Sequence, residues 1–188
     1  MNLFQSIEKC LIKHCSPTLA SLKTASLFTI EFSHREELDE ILRIWNTRLS
    51  DKGIAMVKLR EKNNRALIYV FRKSNLLRDL SCPKIRSFLL ESGYDGSDIN
   101  AALSTLRSHI VCFDEFPHEI GLFLGYPVGD VIGFIRNKGR NCKYCGCWKV
   151  YGNESEAMKT FARFKKCEEV YMRLWEQGRT VRQLTVAA

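Results

Sequence analysis

Apolar positions at helical spacing open the chain. Leu3, Ile7, Cys10, Leu11 and His14 fall on one face and predict an amphipathic helix. Ser16-Pro17 should end it, because the residue before a proline avoids the helical region. Leu27 to Phe32 then reads as a strand with Phe28, Ile30 and Phe32 on one side. Ser33-His34-Arg35-Glu36 has the spacing of a capping box. The helix it would start turns Leu38, Ile41, Leu42, Trp45 and Leu49 inward and stops near Gly53. Two strands follow, Ile54 to Arg60 and Arg65 to Arg72, around Asn63-Asn64, since asparagine tolerates the left-handed backbone of tight hairpins. Ala66 to Phe71 is apolar on both faces, which places it mid-sheet. The unit predicted is β-α-β-β.

Leu76 to Val111 reads as helix in two or three pieces. Pro83 suits a first turn, Gly93 a stop, and Asp98 a cap for the helix bearing Leu103, Leu106 and Ile110. His118 to Tyr126 fits either a strand or a tight turn. Pro127 then begins a short helix through Val131, Phe134 and Ile135, ended by Gly139. Gly146 to Tyr151 is expected as a strand, and Asn153-x-x-Glu156 caps a long helix to about Gln177. The fold class expected is α+β: a single domain, residues 1–188, with one mixed sheet of four or five strands flanked by helices.

Composition changes the picture in two respects. A chain of 188 residues that is 45% apolar and 27% charged suits a globular protein with a full core. The opening stretch carries Glu8, Lys9 and Lys13 and lacks the apolar run of a secretory signal, and no window approaches the ~18 to 20 apolar residues of a membrane span. The expected location is the cytoplasm, with no membrane partner. In that reducing compartment eight cysteines are thiols or ligands rather than a disulfide framework.

The net charge of +8 has two local sources. Lys58 to Lys73 holds six basic residues against one acid, and Arg136 to Lys149 holds five against none. Such stretches suit nucleic acid or a phosphorylated ligand, with Arg136, Lys138, Arg140 and Lys143 as the contacts. They equally suit a solvated sheet edge, which lysines protect from pairing.

The candidate chemistry centres on Gly139 to Tyr151, where Cys142, Cys145 and Cys147 fall within six residues. Cys142-Lys-Tyr-Cys145-Gly146 has the spacing of one zinc knuckle. Cys147 would be a third ligand, and His14, Cys15, His118 or Cys167 a fourth, for a metal ion, haem or an iron–sulfur cluster. Alternatively the thiols exchange disulfides, with Lys143 and Lys149 favouring a Cys145 thiolate. They are equally read as carrying no special chemistry. On one strand, Cys145 and Cys147 would share a face with Lys149. Cys10 and Cys167 sit on apolar helix faces and read as core. Glu119 and Asp130 flank a Gly-Tyr-Pro turn and form a candidate catalytic carboxylate pair, although Asp130 also suits the first turn of its helix. Asp95-Gly96-Ser97-Asp98 reads as a turn and a cap. Gly178 to Leu184 has the look of half a helix-turn-helix. Dinucleotide, phosphate-loop, zinc-protease and nucleophile-elbow motifs are absent from the sequence. The expected working surface joins the His118 to Pro127 turn and the Cys142 to Tyr151 strand.

Longer motifs point to a family. Cys15-Ser-Pro-Thr-Leu-Ala with Lys23 and Leu27-Phe28, then Glu119-Ile-Gly-Leu-Phe-Leu-Gly-Tyr-Pro, Asp130-Val, Gly133-Phe134-Ile135, Gly139, Cys145-Gly146 and Trp148-Lys-Val-Tyr151 run through nearly the whole chain. In these it resembles the family called domain of unknown function 3793, found mostly in anaerobic, clostridia-like bacteria. The resemblance carries no activity with it. Members stand beside flavodoxin and iron-uptake genes, so it implies iron or redox physiology and a flavodoxin-like redox carrier as partner. Where the family has an aromatic residue before the Trp, this chain has Cys147, which leaves Cys142 and Cys145 as the better family-wide candidates.

Overall fold

A computed structural model describes residues 2–95, 98–112 and 116–187. In chain order the elements are α1 (Leu3–Leu19), β1 (Ala25–Glu31), α2 (Arg35–Leu49), β2 (Ile54–Lys62), β3 (Arg65–Arg72), α3 (Lys73–Leu80), α4 (Pro83–Glu91) and α5 (Ile99–Cys112). They continue with α6 (Ile120–Phe123), α7 (Val128–Arg136), β4 (Tyr144–Cys145), β5 (Lys149–Val150), α8 (Glu154–Glu176) and α9 (Val181–Leu184). The protein is α+β, with helices flanking its strands. The chain is organised as two compact units, Met1–Asn75 with Cys167–Ala188, and Leu76–Lys166.

The first unit is built on the expected β-α-β-β order. Its sheet runs β1-β3-β2, and both pairings are antiparallel. The doubly apolar β3 is the central strand, as its sequence predicts. Ala66, Ile68 and Val70 join the core with Leu11, Ile12 and Leu19 of α1 and Leu38, Trp45 and Leu49 of α2. Tyr69 and Phe71, on the alternate positions, are equally buried and stack at 5.0 Å. Asn63 and Asn64 both take positive φ, 51° and 56°, which is the turn a two-residue hairpin requires.

Two expected boundaries differ. Helix α1 runs through Ser16-Pro17 to Leu19. A proline in a helix forfeits one backbone bond, but here the last turn has other partners. The Pro17 carbonyl accepts from Leu22 and Lys23, and the Thr18 and Leu19 carbonyls accept from Arg72. The predicted capping box of α2 does not form: its N-cap is His34, without a side-chain bond, and Arg35 pairs with Glu61 at 3.0 Å instead.

The expected single mixed sheet is also divided. Among the described residues, Tyr144–Cys145 and Lys149–Val150 pair with each other alone, as a two-stranded antiparallel ribbon. Each strand of the ribbon is two residues long, around a turn at Gly146 to Trp148, against seven to nine residues in β1, β2 and β3.

In the second unit the caps fall where the sequence puts them. Pro83 opens α4, Asp98 accepts from the Ala101 N–H at 2.8 Å, and Asn153 accepts from the Glu156 N–H at 3.2 Å. The Gly96-Ser97 part of the expected turn lies outside the described residues. His118 to Tyr126 proves to be a tight turn around the single-turn α6, whose Ile120, Leu122 and Phe123 are buried. Among the described residues no helix is long and apolar enough to cross a membrane.

Candidate functional site

The site grows from one buried carboxylate. Asp130, in the first turn of α7 and only 4% exposed, accepts from the indole N–H of Trp148 at 2.8 Å. Its other oxygen accepts from the backbone N–H groups of Tyr151 at 2.8 Å and Gly152 at 2.7 Å. A carboxylate taken from water needs such donors, and here they come from both sides of β5. The same three bonds fix the cysteine ribbon onto α7.

Aromatic packing completes the attachment. Trp148 stacks on Tyr126 at 4.9 Å and meets Phe161 of α8 edge-on at 4.4 Å. The Tyr126 hydroxyl donates to the Cys147 carbonyl at 3.3 Å. Burial, and then the neighbouring Cys147 thiol, push the Tyr126 phenol up to about 12. Gly133 and Gly146 are the places where rings lie against backbone: a Cβ at either would overlap Tyr151 or Phe161.

The turn and the ribbon thereby enclose a pocket of about 270 Å³. Its walls are mainly Phe116, Tyr126, Val131, Phe134 and Trp148, with His118, Asp130 and Lys149 as polar members. His118 stands edge-on to Phe134 at 4.9 Å, and the Lys149 ammonium lies 5.7 Å from the same ring centre while donating to the Gly139 carbonyl at 2.7 Å. The two segments expected to share a working surface do meet. Phe116, Val131 and Phe134 are the wall members that sequence reading missed, because an apolar residue beside a proline or on a short helix carries no signal beyond ordinary core.

Of the candidate ligands, Cys142, Cys145, Cys147 and His118 lie in the second unit, and His14, Cys15 and Cys167 in the first. Cys145 and Cys147 are exposed and Cys142 is half-buried. Cys145 is paired opposite Lys149, whereas Cys147 sits in the turn, so the two thiols do not share a strand face as expected. Cys15 is fully buried, with its thiol pushed far up by desolvation. Cys167, also buried, is raised to about 11 by desolvation and then by Glu168. Cys10 is half-buried and likewise raised by burial. Among the described residues no three of His, Cys, Asp and Glu come together as a metal set.

The carboxylates have separate partners. Glu119 accepts from the buried Tyr94 hydroxyl at 3.0 Å, and the same oxygen lies 2.8 Å from His109 Nδ1. Nothing in local sequence links Tyr94, His109 and Glu119, which lie on a loop, α5 and the start of α6. Arg136, Lys138, Arg140 and Lys143 are all exposed, and Lys143 donates to the Gly152 carbonyl at 2.8 Å. In the other basic stretch Lys58 pairs with Asp39 and Glu61, and Arg72 is buried on backbone carbonyls. The Gly178 to Leu184 segment closes the first unit: Val181 of α9 is in its core, and Arg182 pairs with Asp51 at 2.6 Å.

A family model described as protein of unknown function (DUF3793) matches residues 11–185. No curated protein and no solved structure matches the chain.

Proposed function

The chain belongs to the DUF3793 family, and we propose that it is a binding protein of the cytoplasm whose Cys142–Cys147 ribbon exchanges disulfides with a redox partner. One observation carries this reading. Cys145 and Cys147 are exposed on the ribbon and Cys142 lies just before it, while Cys15 and Cys167 are buried with their thiols driven up by desolvation. Exchange needs an accessible thiolate.

In the first step a ribbon thiolate attacks one sulfur of a partner disulfide and releases the other as thiolate. A second ribbon thiol then attacks the mixed disulfide. This chain is left with a disulfide, and the partner takes two electrons and, from solvent, two protons. The partner is therefore a disulfide-bearing carrier. A flavodoxin-like partner, which passes electrons through a flavin, would need such a carrier between the two. Metal, haem or cluster binding by the same thiols would need further ligands, since among the described residues no three of His, Cys, Asp and Glu gather as a set.

Timed alkylation at neutral pH tests the reading, followed by oxidised glutathione with intact-mass detection. Cys145 should label first, and a glutathione adduct on the ribbon should give way to an internal disulfide. Cys145→Ser should abolish the sequence, and loss of the resolving thiol should trap the adduct. Labelling of all three ribbon thiols no faster than half-buried Cys82 would overturn it.

The exposed Arg136, Lys138, Arg140 and Lys143, next to exposed Tyr144, favour a second reading as a module for nucleic acid or a phosphorylated ligand. Affinity for single-stranded DNA or RNA falling steeply with salt would support it. Binding without a salt slope would count against it.

A further inference from the structure

We infer that the aromatic pocket of the second unit is a binding site for a small planar aromatic anion. Trp148 and Tyr126, stacked 29° from parallel, form one wall. Phe134 forms another, Ile120 and Val131 add aliphatic surface, and Phe116, 40% exposed, stands at the rim. The volume of about 270 Å³ corresponds to roughly nine waters and lies at the small end of ligand pockets. One or two fused rings suit it, and a tetrapyrrole would overfill it.

Charge selects the ligand class. The Lys149 ammonium has three N–H groups, and the Gly139 carbonyl takes one. The His118 imidazole lies on the same Phe134 ring. Asp130 also lines the pocket, but its oxygens already accept the Trp148, Tyr151 and Gly152 donors, so its charge is solvated by the protein. From Arg136 to Lys149 no acidic side chain intervenes. A flat ring can therefore lie against the aromatic walls with its anionic edge toward Lys149, whereas a cation would meet an ammonium already in place. The site uses no thiol, so it stands independently of disulfide exchange.

The test uses the full reduced chain and three probes of one shape: 2-naphthoate, neutral 2-naphthamide and cationic 2-naphthylmethylammonium. Calorimetry gives affinity, and the amide and indole N–H spectrum reports the Trp148 resonance. Naphthoate should bind and shift that resonance, with the amide about tenfold weaker or more, as expected for one charged hydrogen bond. Lys149→Gln should remove the difference between them. Phe116→Ala, at the rim, should weaken all probes without changing their order. Replacing Cys142, Cys145 and Cys147 together by Ser should leave naphthoate binding unchanged, so this result and the exchange result can fail separately. Equal or tighter binding of the amide or the ammonium overturns the inference. So does the absence of any Trp148 shift at millimolar probe.

Discussion

The Trp148 indole N–H donates to Asp130 across 2.8 Å, tying the turn of the cysteine ribbon to the first turn of α7. The bond matters because the same carboxylate also receives two backbone N–H groups from the residues just after β5. One buried anion thus sets the position of the thiols, the pocket wall and the entry to α8.

Asp130→Ala should therefore be among the most damaging single changes in the second unit. It would leave the indole and two backbone donors without their acceptor, at about 1 to 3 kcal/mol for each buried group that water cannot reach. A loss of roughly 3 kcal/mol or more in urea unfolding is expected. Trp148→Phe removes one of these bonds and should cost less. If Asp130→Ala unfolds like the parent chain, the ribbon is held by something other than this carboxylate.

Much of the fold was legible because its signals are local. Asn63-Asn64 announces a left-handed turn, Pro83 a helix start, Asp98 and Asn153 their caps, and the two apolar faces of β3 its central place. What failed depended on partners distant in sequence. Pro17 sits inside α1 because Arg72, on another strand, caps the turn that follows it. The capping box fails at a position where Arg35 is drawn to Glu61. At the site, sequence reading found the two segments that meet. It could not find that Asp130 and Glu119 serve different neighbours, since those partners carry no shared periodicity.

Alkaline pH should weaken the fold. Burial raises Tyr126 and Tyr171 to about 12 and Cys167 to about 11. For each, the neutral form is favoured in the folded state. The stability they contribute is present below their ordinary pKa values, about 10 for Tyr and 8.5 for Cys, and is lost as pH rises toward the folded values. Urea midpoints should hold to about pH 8.5 and then fall progressively towards pH 12. The early part of the decline should diminish in Cys167→Ala, compared with the parent at each pH. A midpoint that stays flat to pH 12 would show that these groups ionise without resistance.

Arg72 is the buried cation of the first unit, 1% exposed, and its guanidinium meets carbonyls rather than a carboxylate. It donates to Thr18 at 2.7 Å, Leu19 at 2.6 Å and Val186 at 2.8 Å, joining the end of α1 to the segment after α9. The negative end of a helix dipole makes this a favourable place for a cation. Arg72→Met removes the charge and its donors: the Val186 carbonyl loses its Arg72 bond, while Thr18 keeps the Ser21 N–H and Leu19 the Val186 N–H. It should cost about 3 kcal/mol and open residues 182–187 to carboxypeptidase. Arg72→Lys, with one compact ammonium in place of a fork, should fall between. Protease resistance equal to the parent in Arg72→Met would show that the terminal segment is held by its own bond from Val186 N–H to Leu19.

Glu119 offers the sharpest link between packing and the pocket. The carboxylate lies between two pocket residues in sequence, His118 and Ile120, and one of its oxygens faces both the Tyr94 hydroxyl and His109 Nδ1. Burial first, and then the Glu119 charge, raise the Tyr94 phenol, so it stays protonated and keeps donating. Tyr94→Phe removes that donor but keeps the ring packed on Phe123 at 5.5 Å and on His109 at 5.1 Å. It should cost about 1.5 to 3 kcal/mol, as for a hydrogen bond to a charged group. Glu119→Gln keeps an acceptor for Tyr94 and loses the negative charge facing His109. Both variants should weaken naphthoate binding about twofold to threefold, or about 0.4 to 0.7 kcal/mol, a fraction of the bond that holds the His118 wall in place. The measurements are urea unfolding and, on the same samples, calorimetry. A stability loss in Tyr94→Phe with unchanged naphthoate affinity would show that the hydrogen-bonded turn stabilises the unit without positioning the pocket.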